Sequence, residues 1–167
     1  MVQQRSTSAQ GLSAAEVREE DVDVTFMVWL TSRATSDLLD AVLAPSGLDS
    51  DEFAIYSVLS AASGITPTEL ARWMAAPPTT VSSYVKRFEA RGHVSRDPNP
   101  ADRRSYLIKL TPAGRRAHRR AGKLFAPLRT RVAAGLGDQE PRVRDALITL
   151  RAVLDGIRNA PADESLE

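Results

Sequence analysis

The chain contains no cysteine. That excludes disulfides, thiolate metal sites and any switch that works by thiol oxidation. Histidine is nearly absent as well: two in 167 residues leave too few imidazoles for a metal centre. No run of some 18 apolar residues is available to span a membrane, and the N-terminus lacks the continuous apolar stretch of a signal peptide. A cytoplasmic protein with no membrane partner is therefore expected. Motifs of hydrolytic, phosphoryl-transfer and dinucleotide chemistry are missing too: HExxH, GxSxG, the P-loop and GxGxxG do not occur. The expectation is a non-enzyme without a cofactor.

What is present is one domain's worth of chain with its charge strongly segregated. The net charge of +1 conceals this. Between Thr79 and Arg131 stand 14 lysines and arginines against 3 acids, a balance of +11, so the remainder carries −10. Such separation suits a polyanion laid along one face. The plainer alternative is a solvated surface balanced in three dimensions by the acidic segments.

Residues 66 to 110 organise the rest. Thr66-Pro67-Thr68-Glu69 is a helix start, with a Thr cap, Pro at the first helical position and Glu placed to close a capping box. A short helix through Leu70 and Met74 follows, then Ala75-Ala76 as a turn. A second helix enters at Pro77-Pro78 and runs to Arg91. Val81, Tyr84, Val85 and Phe88 recur at i, i+3, i+4 and i+7 as its buried stripe. Thr79, Thr80, Ser82, Ser83, Lys86 and Arg87 occupy the other side. After Gly92, Val94-Ser95-Arg96 and Tyr106-Leu107-Ile108-Lys109-Leu110 read as strands, with Asp97 to Arg104 as the hairpin tip. Helix, turn, helix and basic hairpin in succession describe a winged helix-turn-helix.

The pieces Thr66-Pro67-Thr68-Glu69-Leu70-Ala71, Thr80-Val81-Ser82, Lys86 to Gly92, Asp102-Arg103-Arg104 and Leu110-Thr111-Pro112-Ala113-Gly114 fall in the order and spacing of one known family. Over about residues 22 to 158 the chain resembles the MarR family of winged helix-turn-helix bacterial transcriptional regulators. The resemblance implies a mostly α fold with a small β-hairpin, whose N- and C-terminal helices form a dimerisation region.

Along the chain, residues 1–21 read as a disordered tail, 22–158 as a single domain and 159–167 as a flexible end. Within the domain, dimerisation helices are expected at about 22–43 and 115–158, and the winged part at about 49–114. The first helix should span Val22 to Leu43 and stop at Pro45 and Gly47. The second is capped by Asp49, with Glu52 completing another capping box, and Gly64 ends it. Ile65 is placed for a minimal edge strand. Thr111-Pro112 opens a helix reaching about Ala134, which Pro127 should kink or divide. His118, among Arg115, Arg116, Arg119 and Arg120, reads as a solvated helix residue. Pro141 to about Ile157 forms the last helix. Both end helices carry more apolar surface than one small domain covers. Val22, Phe26, Leu30, Val143, Leu147, Leu150, Leu154 and Ile157 are hence assigned to a homodimer interface, the alternative being mutual packing in a monomer.

The family likeness implies a sequence-specific regulator of double-stranded DNA, acting as a homodimeric repressor on an imperfect palindrome. The expected contacts are Thr66, Thr68, Pro78, Thr79, Thr80, Ser82, Ser83, Lys86, Arg87, Arg96, Arg103 and Arg104. One of Arg103 and Arg104 should reach the minor groove, with Asp102 orienting an arginine. The starts of the helices at Thr66 and Pro78 should offer free N–H groups to phosphates. Pro77 and Ser83 depart from the family pattern, which more often has a capping side chain and a basic residue there. The likeness further implies release by a small aromatic or anionic effector, for which Phe26, Trp29, Phe53 and Tyr56 are the candidate lining. Two other readings remain open, a winged-helix protein-interaction module and a non-specific architectural DNA binder.

Overall fold

Tyr56 and Phe88 meet edge to face with ring centroids 4.6 Å apart, and the core closes around them. Val81 and Val85 from the same helix as Phe88, Leu70, Ile55, Leu59 and Ile108 complete a fully enclosed cluster. In the computed structural model, which describes Arg18 and residues 21–160, the elements are helices α1 (Val24–Leu43), α2 (Ser50–Ala61), α3 (Pro67–Trp73) and α4 (Pro78–Ala90), strands β1 (Val94–Pro98) and β2 (Tyr106–Leu110), and helices α5 (Pro112–Leu136) and α6 (Glu140–Asn159). Short 3-10 turns at Ala44–Ser46 and Gly137–Gln139 connect α1 to α2 and α5 to α6. The expected tails at 1–21 and 159–167 lie largely outside the described residues, although Asn159 is the last residue of α6.

Local chemistry sets these boundaries. Asp23 Oδ1 accepts from the N–H groups of Thr25 and Phe26, so α1 begins at Val24, two residues later than expected. At α3 the capping box is complete: Thr66 N–H donates to Glu69 Oε2 at 2.8 Å, and Glu69 N–H donates to Thr66 Oγ1. Those bonds from Thr66 hold the Glu69 carboxyl below its ordinary pKa. At α2 only half of the expected box forms. Asp49 accepts from Glu52 N–H, but the Glu52 side chain turns inward instead of back to the cap. Arg87 of α4 and Arg91 at its C-cap reach that carboxylate and reward its burial more than a single backbone N–H would.

The turn between α3 and α4 places Ala75 at φ +49, and the end of α4 is a Schellman motif. There Gly92 at φ +67 donates to Glu89 C=O, and His93 N–H donates to Phe88 C=O. The strands pair antiparallel in the register Val94↔Leu110 to Pro98↔Tyr106, so β1 runs two residues past its expected end. Ile65 bridges Ile108 as a minimal third strand, as its position suggested. Helix α5 passes through Pro127 undivided. Phe125 packs on the core just before the proline, and Leu128 faces Leu38 and Leu39 of α1 just after it. Packing on both sides outweighs the one missing backbone bond.

The core is unevenly distributed. Leu43, the last residue of α1, is the only buried residue of that helix, and α6 has none. The buried volume belongs to α2, α3, α4, the hairpin and the start of α5. His118 is not solvated as expected. Its ring stacks on Phe53 at 5.5 Å, its Nε2 lies 3.1 Å from Ser57 Oγ, and burial lowers its pKa. It is a packing residue of the α2–α5 seam.

One close approach is unforgiving. A Cβ on Gly114 would lie 2.0 Å from the carbonyl oxygen of His93, whereas one on Gly122, eight residues along the same helix, would meet nothing within 4 Å. Gly114→Ala should therefore lose about 1–3 kcal/mol in urea unfolding at fixed protein concentration. Gly122→Ala should gain about 0.4–1 kcal/mol. Equal effects from the two substitutions would contradict the packing of α5 on the hairpin base.

Candidate nucleic-acid interface

Because Val81, Val85 and Phe88 are buried, helix geometry turns Thr79, Thr80, Ser82, Ser83 and Lys86 to the outside, and all five are exposed. Ser83 Oγ donates to Thr79 C=O, leaving its lone pairs outward. Tyr84, expected in the apolar stripe, sits on its flank and donates its hydroxyl to Asp51 Oδ2 at 2.9 Å. Burial, and then that bond, push the phenol up to about 12.

The two helix starts differ from expectation in what they can offer an anion. At Thr66 the capping box consumes two N–H groups and sets the Glu69 carboxylate beside them. Thr68 is exposed next to that carboxylate. At α4, Pro77 and Pro78 have no N–H, while those of Thr80 and Val81 bond to Pro77 C=O. Thr79 is left as the free backbone donor at this end among the described residues.

The cations of the basic block fall into two groups. Arg91 Nη1 donates to Glu52 Oε2 at 2.9 Å, and Arg87 Nε lies 3.5 Å from Glu52 Oε1. Arg96 pairs with Glu89 at 2.6 Å and covers the Tyr106 ring, and Lys109 pairs with Asp97 at 2.8 Å. Arg115 donates to the C=O of Leu110. Arg87 and Arg96, both expected DNA contacts, each have an acid partner and remain 48% and 38% exposed. Lys86, Arg103 and Arg104 have no ion pair among the described residues, and neither do Arg116, Arg119, Arg120, Lys123, Arg129 and Arg131 of α5.

Arg103 and Arg104 stand exposed at the tip of the hairpin, on a loop clipped by two side chains. Asn99 accepts from Ala101 N–H and donates to Ser105 Oγ, while Asp102 Oδ1 accepts from Arg104 N–H at 2.9 Å. Asp102 therefore shapes the backbone beneath the arginines and grips neither guanidinium, a correction to its expected role. Asn99, Ser105, Asp51 and Glu52 went unnoticed in the sequence as positioning groups. Only the Asx-turn preference of Asn99 and Asp102 offered a local signal.

The four aromatics expected to line one ligand cavity separate into two pairs. Phe26 and Trp29 stack on each other at 5.5 Å on the exposed side of α1. Phe53 and Tyr56 are core residues, the latter with its hydroxyl 2.8 Å from His93 Nδ1. No ring contact joins the pairs among the described residues. A groove of about 620 Å³ lies elsewhere, between α3 and α6, lined in part by Arg72, Trp73, Ile148 and Arg151. Among the described residues, no helix is long and apolar enough to cross a membrane.

Residues 46–105, from the entrance of α2 to the wing tip, match the sequence model of the MarR family. The multiple antibiotic resistance protein MarR of Salmonella typhimurium is 26% identical over 115 residues, covering 66% of this chain and 80% of that protein. An HTH-type transcriptional repressor of Mycobacterium tuberculosis is 27% identical over 123 residues, covering 74% of this chain and 88% of the repressor. Among solved structures, the M. tuberculosis transcriptional regulator MosR in complex with DNA superposes with a TM-score of 0.71 at 28% identity, over 82% of this chain and 99% of that one. CouR bound to a 23-mer DNA duplex gives a TM-score of 0.67 at 27% identity, over 81% and 94%. Over most of its length the chain is similar to winged helix-turn-helix transcriptional regulators of the MarR family.

Proposed function

We propose that the protein is a homodimeric repressor that binds an imperfect palindrome in double-stranded DNA and releases it when a small aromatic or anionic molecule binds. The observation that carries the reading is that three of the unneutralised cations, Lys86, Arg103 and Arg104, flank a helix face of small hydroxyls. Small polar side chains admit close approach to base edges, and a basic hairpin beside them reaches the backbone or the minor groove. The similarity to MosR and CouR, whose structures hold DNA, supports the same partner here.

Dimerisation has its support in the uneven core. Phe26, Trp29 and Leu30 of α1 and Val143, Leu147, Ile148, Leu154 and Ile157 of α6 are exposed, and Val22 and Leu150 are half-buried. So large an apolar surface on two helices calls for a cover, and a two-fold partner supplies the same surface in return. The 22–43 and 115–158 segments then act as the dimerisation region and 49–114 as the reading lobe. Two copies of α4 would meet half-sites about 34 Å apart.

For the effector, the α3–α6 groove suits an aromatic anion better than the four aromatics first considered. Trp73 is 56% exposed there, Arg151 lies over its ring at 5.2 Å and donates to its C=O, and Arg72 is close by. A molecule favouring one spacing of α6 and the reading lobe would shift DNA affinity in proportion to that preference.

Footprinting on the DNA flanking the gene should reveal a protected imperfect inverted repeat. Arg103→Ala with Arg104→Ala should weaken it at least tenfold and flatten the log–log salt dependence by about 1 to 2. Unchanged protection would move the contact elsewhere. Light scattering should show two chains per particle, falling to one in Leu147→Glu with Leu154→Glu; a wild-type monomer would contradict the interface. In a Trp29→Phe background, small aromatic carboxylates should quench the remaining Trp73 fluorescence, and Arg151→Ala should abolish the effect. Quenching that survives Arg151→Ala would remove the groove as the effector site.

A further inference from the structure

Glu52 is an acid buried directly beneath the helix that reads DNA. Its side chain is 2% exposed, yet it lies on α2, which contributes no expected DNA contact. A lone buried carboxylate is costly, so its partners matter. Arg91, at the end of α4, makes the close bond to Oε2 at 2.9 Å. The carboxylate raises the Arg91 pKa, and Arg91 is also coupled to the Tyr56 hydroxyl. Oε1 has no hydrogen-bond partner of its own; it faces Arg87 Nε at 3.5 Å.

Arg87 is therefore held on one edge only. Nε lies 3.5 Å from Glu52 Oε1, an ion pair without a hydrogen bond, and the guanidinium lies over the Tyr84 ring at 4.7 Å. Tyr84 is in turn pinned by Asp51, the neighbour of Glu52 in sequence. The side chain of Arg87 remains 48% exposed, next to Ser83 and Lys86. A guanidinium has five donors in a planar fork, so an ion pair at Nε and stacking of the plane still leave the Nη edge to present outward.

We propose that Glu52 is a positioning residue for sequence recognition: from below, it fixes the plane and direction of Arg87, whose outer edge then reads DNA. The proposal rests on the DNA-binding reading above and adds to it a buried determinant of specificity. Its opposite is a carboxylate that only braces α2 against α4. The two differ in sign. A bracing charge near phosphates opposes binding to any sequence, so neutralising it should tighten specific and non-specific binding alike. Removing a positioning group should weaken specific binding while leaving non-specific binding equal or tighter.

The test uses the full-length protein, the duplex that it enriches from a random pool, and a shuffled duplex of equal length, titrated at several salt concentrations. Glu52→Gln keeps the shape and removes the charge; the ratio of specific to shuffled affinity should fall about tenfold. Arg87→Lys, at a half-exposed site that does not threaten folding, keeps the cation but lacks Nε and the planar fork. It should lower the ratio by a similar factor with an unchanged salt slope on shuffled DNA. In an Arg87→Ala background, Glu52→Gln should have no further effect on the ratio. An unchanged ratio in Arg87→Lys overturns the proposal, as does parallel tightening on both duplexes in Glu52→Gln. Wild-type protein that binds neither duplex at low salt overturns the DNA-binding reading itself, and the proposal with it.

Discussion

The edge-on contact of Tyr56 with Phe88 fixes how α4 lies on α2, and the functional geometry depends on that. With Val81 and Val85 buried alongside, the helix has one permitted rotation, and its hydroxyl-bearing side must face out. The Schellman turn at Gly92 then starts the hairpin at a set angle, with His93 held between the Tyr56 hydroxyl and the first turn of α5. Burial and the neighbouring Arg91 and Arg120 keep the His93 pKa below its usual value. Helix, wing and the helix after it thus form one rigid unit.

Charge is sorted on that unit rather than spread over it. Glu52, Glu89 and Asp97 neutralise the cations at the base of the wing and along the inner edge of α4. Those at the tip and on the outer face are left uncompensated. Pairs that are largely exposed contribute little to stability in water, so their effect lies mainly in which arginines remain available to a polyanion. The Asx turns of Asn99 and Asp102 serve the same end by shaping the loop under Arg103 and Arg104 without neutralising them.

Much of this was legible in the sequence because it is local. The Thr66–Glu69 box, the i, i+3, i+4, i+7 stripe of α4, the Gly92 turn and the Thr111-Pro112 start all declare themselves within a few residues. What escaped notice depends on partners far apart in the chain. Glu52 looked like a capping residue because its arginines lie 35 and 39 positions away. His118 looked solvated because its arginine neighbours hid the fact that its ring faces Phe53. Phe53 and Tyr56 are aromatic in a way that suits a pocket or a core equally, and only the fold assigns them to the core. For the basic run of α5, sequence reports charge and not the face on which it lies.

That last point marks the most direct measurement. Hydrogen exchange by mass spectrometry, with and without a saturating duplex, reports which backbone segments DNA covers. The account predicts added protection at the start of α4, around Thr79 to Lys86, and in the wing loop from Asn99 to Ser105. Protection concentrated instead on α5 around Arg116 to Lys123, with α4 and the wing unchanged, would contradict it.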